Sequence, residues 1–301
     1  MSHNELPDVR PVAGQYSAMP AQKPSRQRGC FLFTVPGCIG MSCLSLVAVC
    51  CVVTLGPIVG FGTVAALLAT NTASETGAES LRLEPNEGAN LRVDNTNIDL
   101  TLRPSTGTAR DISVEYELTA NGFTSGSAQE ALDNLTVVLQ RTPDGMIELA
   151  VQEGDFWLTI YDLDATVTVP RTMDVIDIRQ ASDVQAEGVD GNYQIAAFSG
   201  DVILQDVRGS FDVVTTSFGD IQFNGDFLPN TDNRFETSSG DIRVSLPSTA
   251  SVNYDAQTSG VGEANCPNVR QRDSCFGKLG DGTAQLTVRS DSGDITIATG
   301  P

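Results

Sequence analysis

The residues with the clearest chemical potential in this chain are aspartates that recur in one short motif. The sequence reads FSGD at 198–201, SFGD at 217–220, SSGD at 238–241 and DSGD at 291–294. Carboxylates stacked at the spacing of neighbouring strands, about 4.8 Å, would repel one another unless they were solvated or shared a cation. Calcium prefers about six to eight oxygen ligands, which nearby serine hydroxyls and turn carbonyls could supply. Asp201, Asp220 and Asp241 are therefore candidates for a calcium site.

The same repetition has a structural explanation, which we favour. A catalytic motif needs to occur once, whereas a repeated motif usually serves a repeated backbone geometry. Glycine allows a left-handed backbone, and aspartate caps turns by accepting hydrogen bonds from backbone N–H groups. The motif therefore predicts a corner between strands. Its turn residues are Gly200, Asp201, Gly219, Asp220, Gly240, Asp241, Gly293 and Asp294.

Other residue patterns argue against catalysis. His3 is the single histidine and lies in the polar N-terminal segment, so the rest of the chain lacks the commonest general base and metal ligand. Asp162 and Asp164 could in principle serve a glycosidase, which needs two carboxylates at a defined separation. They alternate with Tyr161 and Leu163, as residues on the solvated face of a strand do. We predict a protein that is not an enzyme and uses no cofactor, with a carbohydrate-active enzyme as the opposing hypothesis.

The spacing of the motif indicates the element that positions it. Successive aspartates at 183, 201, 220 and 241 are 18, 19 and 21 residues apart. The segment 259–261 falls where the next copy is expected but lacks the acid, and Asp294 closes the series. About twenty residues make two strands of five or six residues plus two turns. The period therefore predicts an all-β fold, a parallel β-helix or β-solenoid over 173–301 with one coil per repeat.

Alternation within each repeat predicts which side chains fill the interior. The apolar residues that follow each Gly-Asp pair are Val202, Leu204, Ile221, Phe223, Ile242, Val244, Ile295 and Ile297. Small hydroxyls are expected inside the tube near the corner, where it narrows. They are Thr215, Thr237 and Ser290, followed by Ser199, Ser217, Ser239 and Ser292.

The segment before the repeats also alternates between apolar and polar residues. We predict β-strands over 81–172, with a hairpin turn at Asp144-Gly145. One short helix is expected at 127–135, with Ser127 as N-cap and Glu130 completing a capping box. Residues 71–80 are polar and are expected to be a linker.

The N-terminal segment predicts a membrane anchor. No Asp, Glu, Lys, Arg or His occurs between Arg28 and Glu75, and the run is almost wholly apolar. We expect a disordered cytoplasmic tail at 1–29 and a membrane segment at 30–70, with one transmembrane α-helix at about 42–69. Basic residues before the run place the N-terminus in the cytoplasm and the C-terminal domain outside. The alternative is a hairpin of two short spans, which would return that domain to the cytoplasm.

Charge and cysteines restrict the partners and the compartment. The net charge is −20, which disfavours nucleic acid because the partner is itself a polyanion. Cys266 and Cys275 are alone in the acidic part of the chain, and in an oxidising setting they are expected to form one disulfide.

Two longer segments identify a family resemblance. VTVPRTMDVIDI at 167–178, the spaced Ser-Gly-Asp units and the closing LTVRSDSGDITI at 286–297 resemble bacterial β-strand-repeat proteins of unknown function that are labelled putative adhesins. The resemblance covers about 81–299. It implies an exported or membrane-anchored parallel β-helix with no established catalytic residues. Phe218 and Val261 depart from the regular motif.

Together these observations predict a single-pass protein of the cell membrane with an acidic extracytoplasmic domain. Its expected role is a non-catalytic surface interaction, with the lipid bilayer as one partner and an unknown envelope protein or glycan as the other. The sequence leaves the oligomeric state open. The alternative function is an envelope-stress sensor or regulator that signals through its cytoplasmic tail.

Overall fold

The fold comes from a computed structural model that describes residues 71–84, 87–95, 97–107, 110–154, 160–215, 217–267, 269–271 and 273–300. These residues form twenty strands and one helix. The strands are β1 Asn71–Arg82, β2 Asn90–Asp94, β3 Ile98–Pro104, β4 Asp111–Gly122, β5 Leu135–Arg141, β6 Ile147–Glu153, β7 Ile160–Val169, β8 Thr172–Arg179, β9 Val184–Glu187, β10 Asp190–Ala197, β11 Val202–Thr215, β12 Ile221–Phe227, β13 Asp232–Ser239, β14 Ile242–Leu246, β15 Val252–Thr258, β16 Ala264–Cys266, β17 Val269–Gln271, β18 Ser274–Leu279, β19 Ala284–Ser292 and β20 Ile295–Thr299. Helix α1 is Ser125–Asp133.

The strands form two parallel stacks, and the chain passes from one stack to the other at each corner. Stack A runs in the order β6, β2, β8, β10, residues 209–215 of β11, β13, β19 and β15. Stack B runs in the order β7, β3, β9, residues 202–205 of β11, β12, β14, β20 and β16. One strand of A followed by one strand of B makes a coil, so the described residues form an all-β, solenoid-like fold.

The coils do not stack in the order of the sequence at either end. The last coil, β19–β20, lies between the coil β13–β14 and the coil β15–β16. At the other end, the coil β2–β3 lies between β6–β7 and β8–β9. The expectation that residues 259–261 follow the 241 corner directly is therefore wrong. The corner at Asp294 takes that place.

Antiparallel strands cover both ends of the stacks. β5 pairs with β6, and β4 pairs with β7 and with β1. At the opposite end β18 pairs with β15, and β17 pairs with β16. Because an exposed parallel edge is a template for pairing with other chains, these strands protect the ends of the solenoid.

Two local expectations need correction. Residues 71–80, expected as a linker, belong to β1, where each residue has a register partner on β4. The helix begins earlier than expected, because Thr124 and not Ser127 is the N-cap. Ser127 instead closes the capping box, with its N–H donating to the Thr124 side chain. The hairpin turn at Asp144-Gly145 joins β5 to β6 as predicted.

The core is one continuous apolar cluster between the stacks. Every predicted apolar position after the Gly-Asp pairs is buried, and so are Thr215, Thr237 and Ser290. Ser217 and Ser239, which were also expected inside, are only half-buried. Aromatic rings fill the middle of the tube with centroids 4.9 to 6.3 Å apart, namely Tyr193, Phe211, Phe223, Phe227 and Phe235. Ser199 and Ser292 are exposed, contrary to expectation, since the chain has already begun to turn there.

Within the described ranges, no helix is long and apolar enough to span a bilayer. The predicted tail at 1–29 and the predicted span at 42–69 lie outside those ranges.

Candidate functional site: the acidic corner

The predicted turn residues meet at one corner and extend into a longer column of acidic side chains. Strand register aligns one acidic residue on, or directly before, each stack B strand with that of the next strand, and Glu117 on β4 extends the row at one end. In spatial order the column is Glu117, Asp164, Asp99, Asp183, Asp201, Asp220, Asp241, Asp294 and Glu263. We call this set the acidic column. It runs along the stack from β4 to β16.

The carboxylates of the column accept hydrogen bonds from the backbone of the next coil. Asp183 Oδ1 accepts from the N–H of Asp201 at 2.7 Å, and Asp201 Oδ1 accepts from the N–H of Asp220 at 2.8 Å. The same contact links Asp220 to Asp241 at 2.7 Å, Asp241 to Asp294 at 2.9 Å, and Asp294 to Glu263 at 2.9 Å. Each carboxylate therefore fixes the stacking of two coils.

The corner glycines explain why a side chain is needed as acceptor. Gly200 and Gly219 have φ of 141° and 147°, and their N–H groups donate to carbonyls of the following coil. The residue after each aspartate, such as Val202, does the same. The aspartate N–H between them points to the preceding coil, where the bend leaves it no carbonyl. The preceding carboxylate supplies the missing acceptor, as buried or turning backbone groups require.

Glycine is also required by contact distance at this corner. A Cβ on Gly219 would lie 1.9 Å from the carbonyl oxygen of Gly200, and one on Gly240 would lie 2.1 Å from that of Gly219. The column of glycines continues to Gly293 and then to Gly262. Gly262 and Glu263, and not the expected 259–261 segment, thus supply the corner of the coil β15–β16.

A row of hydroxyls supports the corner from inside. Thr237 Oγ1 donates to the Gly219 carbonyl and Ser290 Oγ donates to the Gly240 carbonyl, each at 3.1 Å. Thr215 occupies the equivalent place one coil earlier. Within the described residues, its buried Oγ1 has no hydrogen-bond partner. The hydroxyl row thus serves packing and turn geometry, with one unsatisfied position.

The charges of the column are only partly paired. Arg243 lies 2.8 Å from Asp241 Oδ2 and 3.9 Å from Asp220 Oδ2. No described lysine or arginine lies within 4.0 Å of Asp183 or Asp201. This part of the corner therefore presents uncompensated negative charge.

The column offers little to a calcium ion. Asp201, Asp220 and Asp241 each already use Oδ1 in a backbone hydrogen bond. The described residues contain no group of three or more His, Cys, Asp or Glu side chains placed to hold a metal ion. The calcium hypothesis stays an untested prediction.

Two exposed phenylalanines directly precede the corner in the chain. Phe198 is 61% exposed and Phe218 is 69% exposed. Sequence reasoning noted Phe218 as a departure from the motif but did not assign it a role. The signal was the presence of phenylalanine where other copies of the motif have serine.

The acidic pair considered for catalysis belongs to an outer strand face. Asp162 and Asp164 on β7 are exposed, while Tyr161 and Leu163 between them are buried. The Tyr161 hydroxyl donates to Asn95 Oδ1 at 3.2 Å. Burial raises the pKa of Tyr161. This tyrosine is thus a core residue with a satisfied hydroxyl.

The two cysteines of the acidic domain lie at the capped end. Cys266 on β16 and Cys275 on β18 are joined by a disulfide. Because β16 is the stack B strand of the coil β15–β16 and β18 pairs with β15 of stack A, the bond links this end coil to the strand that covers it.

Several known proteins are similar to this chain. A putative cell adhesion protein from Clostridium sporogenes is 13% identical, with 75% of this chain and 100% of that chain covered at a TM-score of 0.39. A putative adhesin from Bacteroides fragilis is 11% identical, with 75% and 97% covered at a TM-score of 0.30. A putative lipid binding protein from Parabacteroides distasonis is 12% identical, with 77% and 98% covered at a TM-score of 0.27. No curated protein gives a match.

A family match covers the repeat region. Residues 164–298 match the family described as Toastrack DUF4097. These residues include β8 to β19, the corner glycines and most of the acidic column. The predicted resemblance to a β-strand-repeat family of unknown function, labelled putative adhesin, is therefore confirmed, and residues 164–298 are similar to the family described as Toastrack DUF4097.

Proposed function

We propose that this protein is a non-catalytic interaction module of the cell envelope, held at the membrane by residues 42–69. The observation that carries the proposal is the hydrogen bonding of the acidic column. Its carboxylates hold the coils in register, as the bond from the Asp220 N–H to Asp201 illustrates. A group used in this way is a structural element, and the repeats then serve to extend a rigid surface.

The outer faces of the stacks suit binding better than chemistry. Polar side chains on stack A form local ion pairs, such as Arg289 with Asp255 at 2.6 Å and Arg179 with Asp177 at 2.8 Å. An enzyme site would instead group titratable side chains around a cavity and shift their pKa values strongly. Burial raises the pKa values of Tyr193 and Tyr254, whose hydroxyls donate to the carbonyls of Val189 and Pro267.

The proposal is tested by retention of an envelope component. The full chain, purified in detergent and immobilised, is incubated with solubilised cell envelopes with and without calcium. We expect saturable retention of a defined protein or glycan, and we expect it to survive deletion of residues 1–29. Absence of saturable retention would contradict an interaction role. Loss of that retention when only residues 1–29 are deleted would favour the sensor alternative.

The proposed topology has a separate test. Protease added to intact cells should cleave the part of the chain that follows residue 70. Protection of that part until the cells are opened would favour the hairpin of two spans.

A further inference from the structure

Phe198 and Phe218 expose large apolar surfaces at positions that other coils fill with serine. The N–H of Gly219 donates to the Ser239 carbonyl, and that of Gly240 donates to the Ser292 carbonyl. The N–H of Gly200 donates to the Phe218 carbonyl at 2.8 Å, which makes residue 218 the structural equivalent of these serines. Leaving most of a phenylalanine side chain in water forgoes the free energy that its burial would provide. The corner therefore tolerates serine, and the backbone does not require phenylalanine.

The two phenylalanines belong to the same corner of the solenoid. Phe198 precedes the Gly200 corner by two residues, and Phe218 bonds to that same glycine from the next coil. Neighbouring strands are about 4.8 Å apart, so the two residues lie on adjoining coils at the same corner. We call Phe198, Phe218, Asp183 and Asp201 the aromatic corner.

The charge at the aromatic corner selects the partner. Asp183 and Asp201 have no described lysine or arginine within ion-pair distance, whereas Asp220 and Asp241 share Arg243. The whole chain carries −20. A second copy of the chain, an acidic glycan or nucleic acid would meet repulsion here. A partner that places positive charge beside apolar groups would gain binding free energy both from attraction to the carboxylates and from covering the phenylalanines.

We propose that the aromatic corner binds a basic polypeptide segment in which lysine or arginine side chains flank apolar ones. The apolar side chains cover Phe198 and Phe218, and the cationic groups face Asp183 and Asp201. Arginine can also stack on an aromatic ring. This inference rests on the proposed function as an interaction module, and it names the surface and the class of partner.

Two double variants separate the apolar and the ionic parts of the surface. Phe198→Ser with Phe218→Ser restores residues that the same corner holds in other coils, so folding should be kept. Asp183→Asn with Asp201→Asn removes both charges but keeps an Oδ1 acceptor for the backbone N–H groups of Asp201 and Asp220. The matched control is Phe276→Ser, because Phe276 is 72% exposed but lies on β18.

The probe is a short fluorescent peptide of alternating lysine and leucine, and its comparison is the glutamate–leucine peptide. Fluorescence anisotropy with the full chain in detergent should show binding of the first peptide only. Each double variant should weaken that binding about tenfold or more, as loss of an interface hot spot does, and Phe276→Ser should leave it unchanged. Higher salt should weaken binding to the wild type more than to the Asp→Asn variant.

Other outcomes overturn the inference. They are equal binding of both peptides, wild-type affinity in either double variant, and an equal loss in Phe276→Ser. Binding of a neutral oligosaccharide that needs the phenylalanines but not the charges would assign the surface to sugars instead. If an envelope partner is retained by the wild type and equally by the phenylalanine variant, the aromatic corner is not the binding surface, but the proposed function stands. If no envelope partner is retained, the proposed function itself fails.

Discussion

The backbone N–H of Asp220 donates to Oδ1 of Asp201 at 2.8 Å. The two residues are 19 positions apart in the chain and lie on adjoining coils. This contact recurs along the corner and explains why one tetrapeptide is repeated. Glycine makes the bend, and the bend turns one N–H away from the carbonyls of its neighbours. The aspartate of the adjacent coil accepts it. Repetition of the motif therefore follows from repetition of an architectural requirement.

Gly219→Ala should be strongly destabilising. The added Cβ would lie 1.9 Å from the Gly200 carbonyl oxygen, and φ is already 147°. Strain and overpacking together should cost about 3 kcal/mol or more in the free energy of unfolding, measured by urea titration. Gly145→Ala is the matched control, since φ is 84° but nothing lies within 4 Å of the new Cβ. It should lose only about 1 to 2 kcal/mol. Equal losses would mean that contact with the next coil is unimportant.

Thr215→Val should stabilise the protein. Thr215 is 1% exposed, and among the described residues its hydroxyl has no hydrogen-bond partner. Replacing that hydroxyl by a methyl group of similar size should raise the free energy of unfolding by about 1 kcal/mol.

The adjoining coil provides the control for this change. Thr237→Val removes a hydroxyl that donates to the Gly219 carbonyl, so it should lower the free energy of unfolding by about 1 kcal/mol. The prediction fails if the two threonine variants change stability in the same direction.

Tyr193 should make stability fall at alkaline pH. Burial raises the pKa of Tyr193 above its ordinary value of about 10, and its hydroxyl donates to the Val189 carbonyl at 2.7 Å. Above pH of about 10 the unfolded chain loses this proton while the folded chain keeps it. The unfolded state then binds fewer protons, so stability decreases as pH rises. Urea unfolding on either side of pH 10 should show a smaller decline for Tyr193→Phe than for the wild type. An identical decline would contradict the assignment.

The order of the coils can be tested by cysteine pairs. Arg243 on β14 has Thr296 on β20 as its register partner, and Thr296 in turn has Asn265 on β16. A disulfide needs Cα atoms about 4.4 to 6.8 Å apart, which adjoining strands satisfy and strands two coils apart do not. The pair Arg243→Cys with Thr296→Cys should therefore oxidise readily. The pair Arg243→Cys with Asn265→Cys should not oxidise. The reverse pattern on non-reducing gels would show that the coils stack in the order of the sequence.

Much of the fold followed from the sequence because its causes are local. The period of about twenty residues indicated one coil per repeat, and alternation identified interior residues such as Val202 and Phe223. The disulfide partners were also anticipated, and Cys266 and Cys275 are indeed bonded in the structure. Each of these inferences depends on side chains within one or two coils.

The rest depended on contacts that leave little trace in a local pattern. Any order of coils buries the same alternating residues, so the position of Asp294 beside Asp241 could not be read from spacing. The sequence did not indicate Glu263 as a corner residue, because the corner glycine is Gly262, two residues after the expected Gly260. Asp99 and Asp164 joined the acidic column through strand register without a Ser-Gly-Asp motif. The exposed Phe218 was visible as an exception, but its meaning depends on the neighbouring coil.

The central claim, that corner aspartates serve as backbone acceptors, is tested most directly by hydrogen exchange at the amide of Asp220 in variants of Asp201. The account predicts slow exchange in the wild type and in Asp201→Asn, which keeps the acceptor, and markedly faster exchange in Asp201→Ala. Equal protection in all three proteins, or an Asn variant that exchanges as fast as the Ala variant, would contradict it.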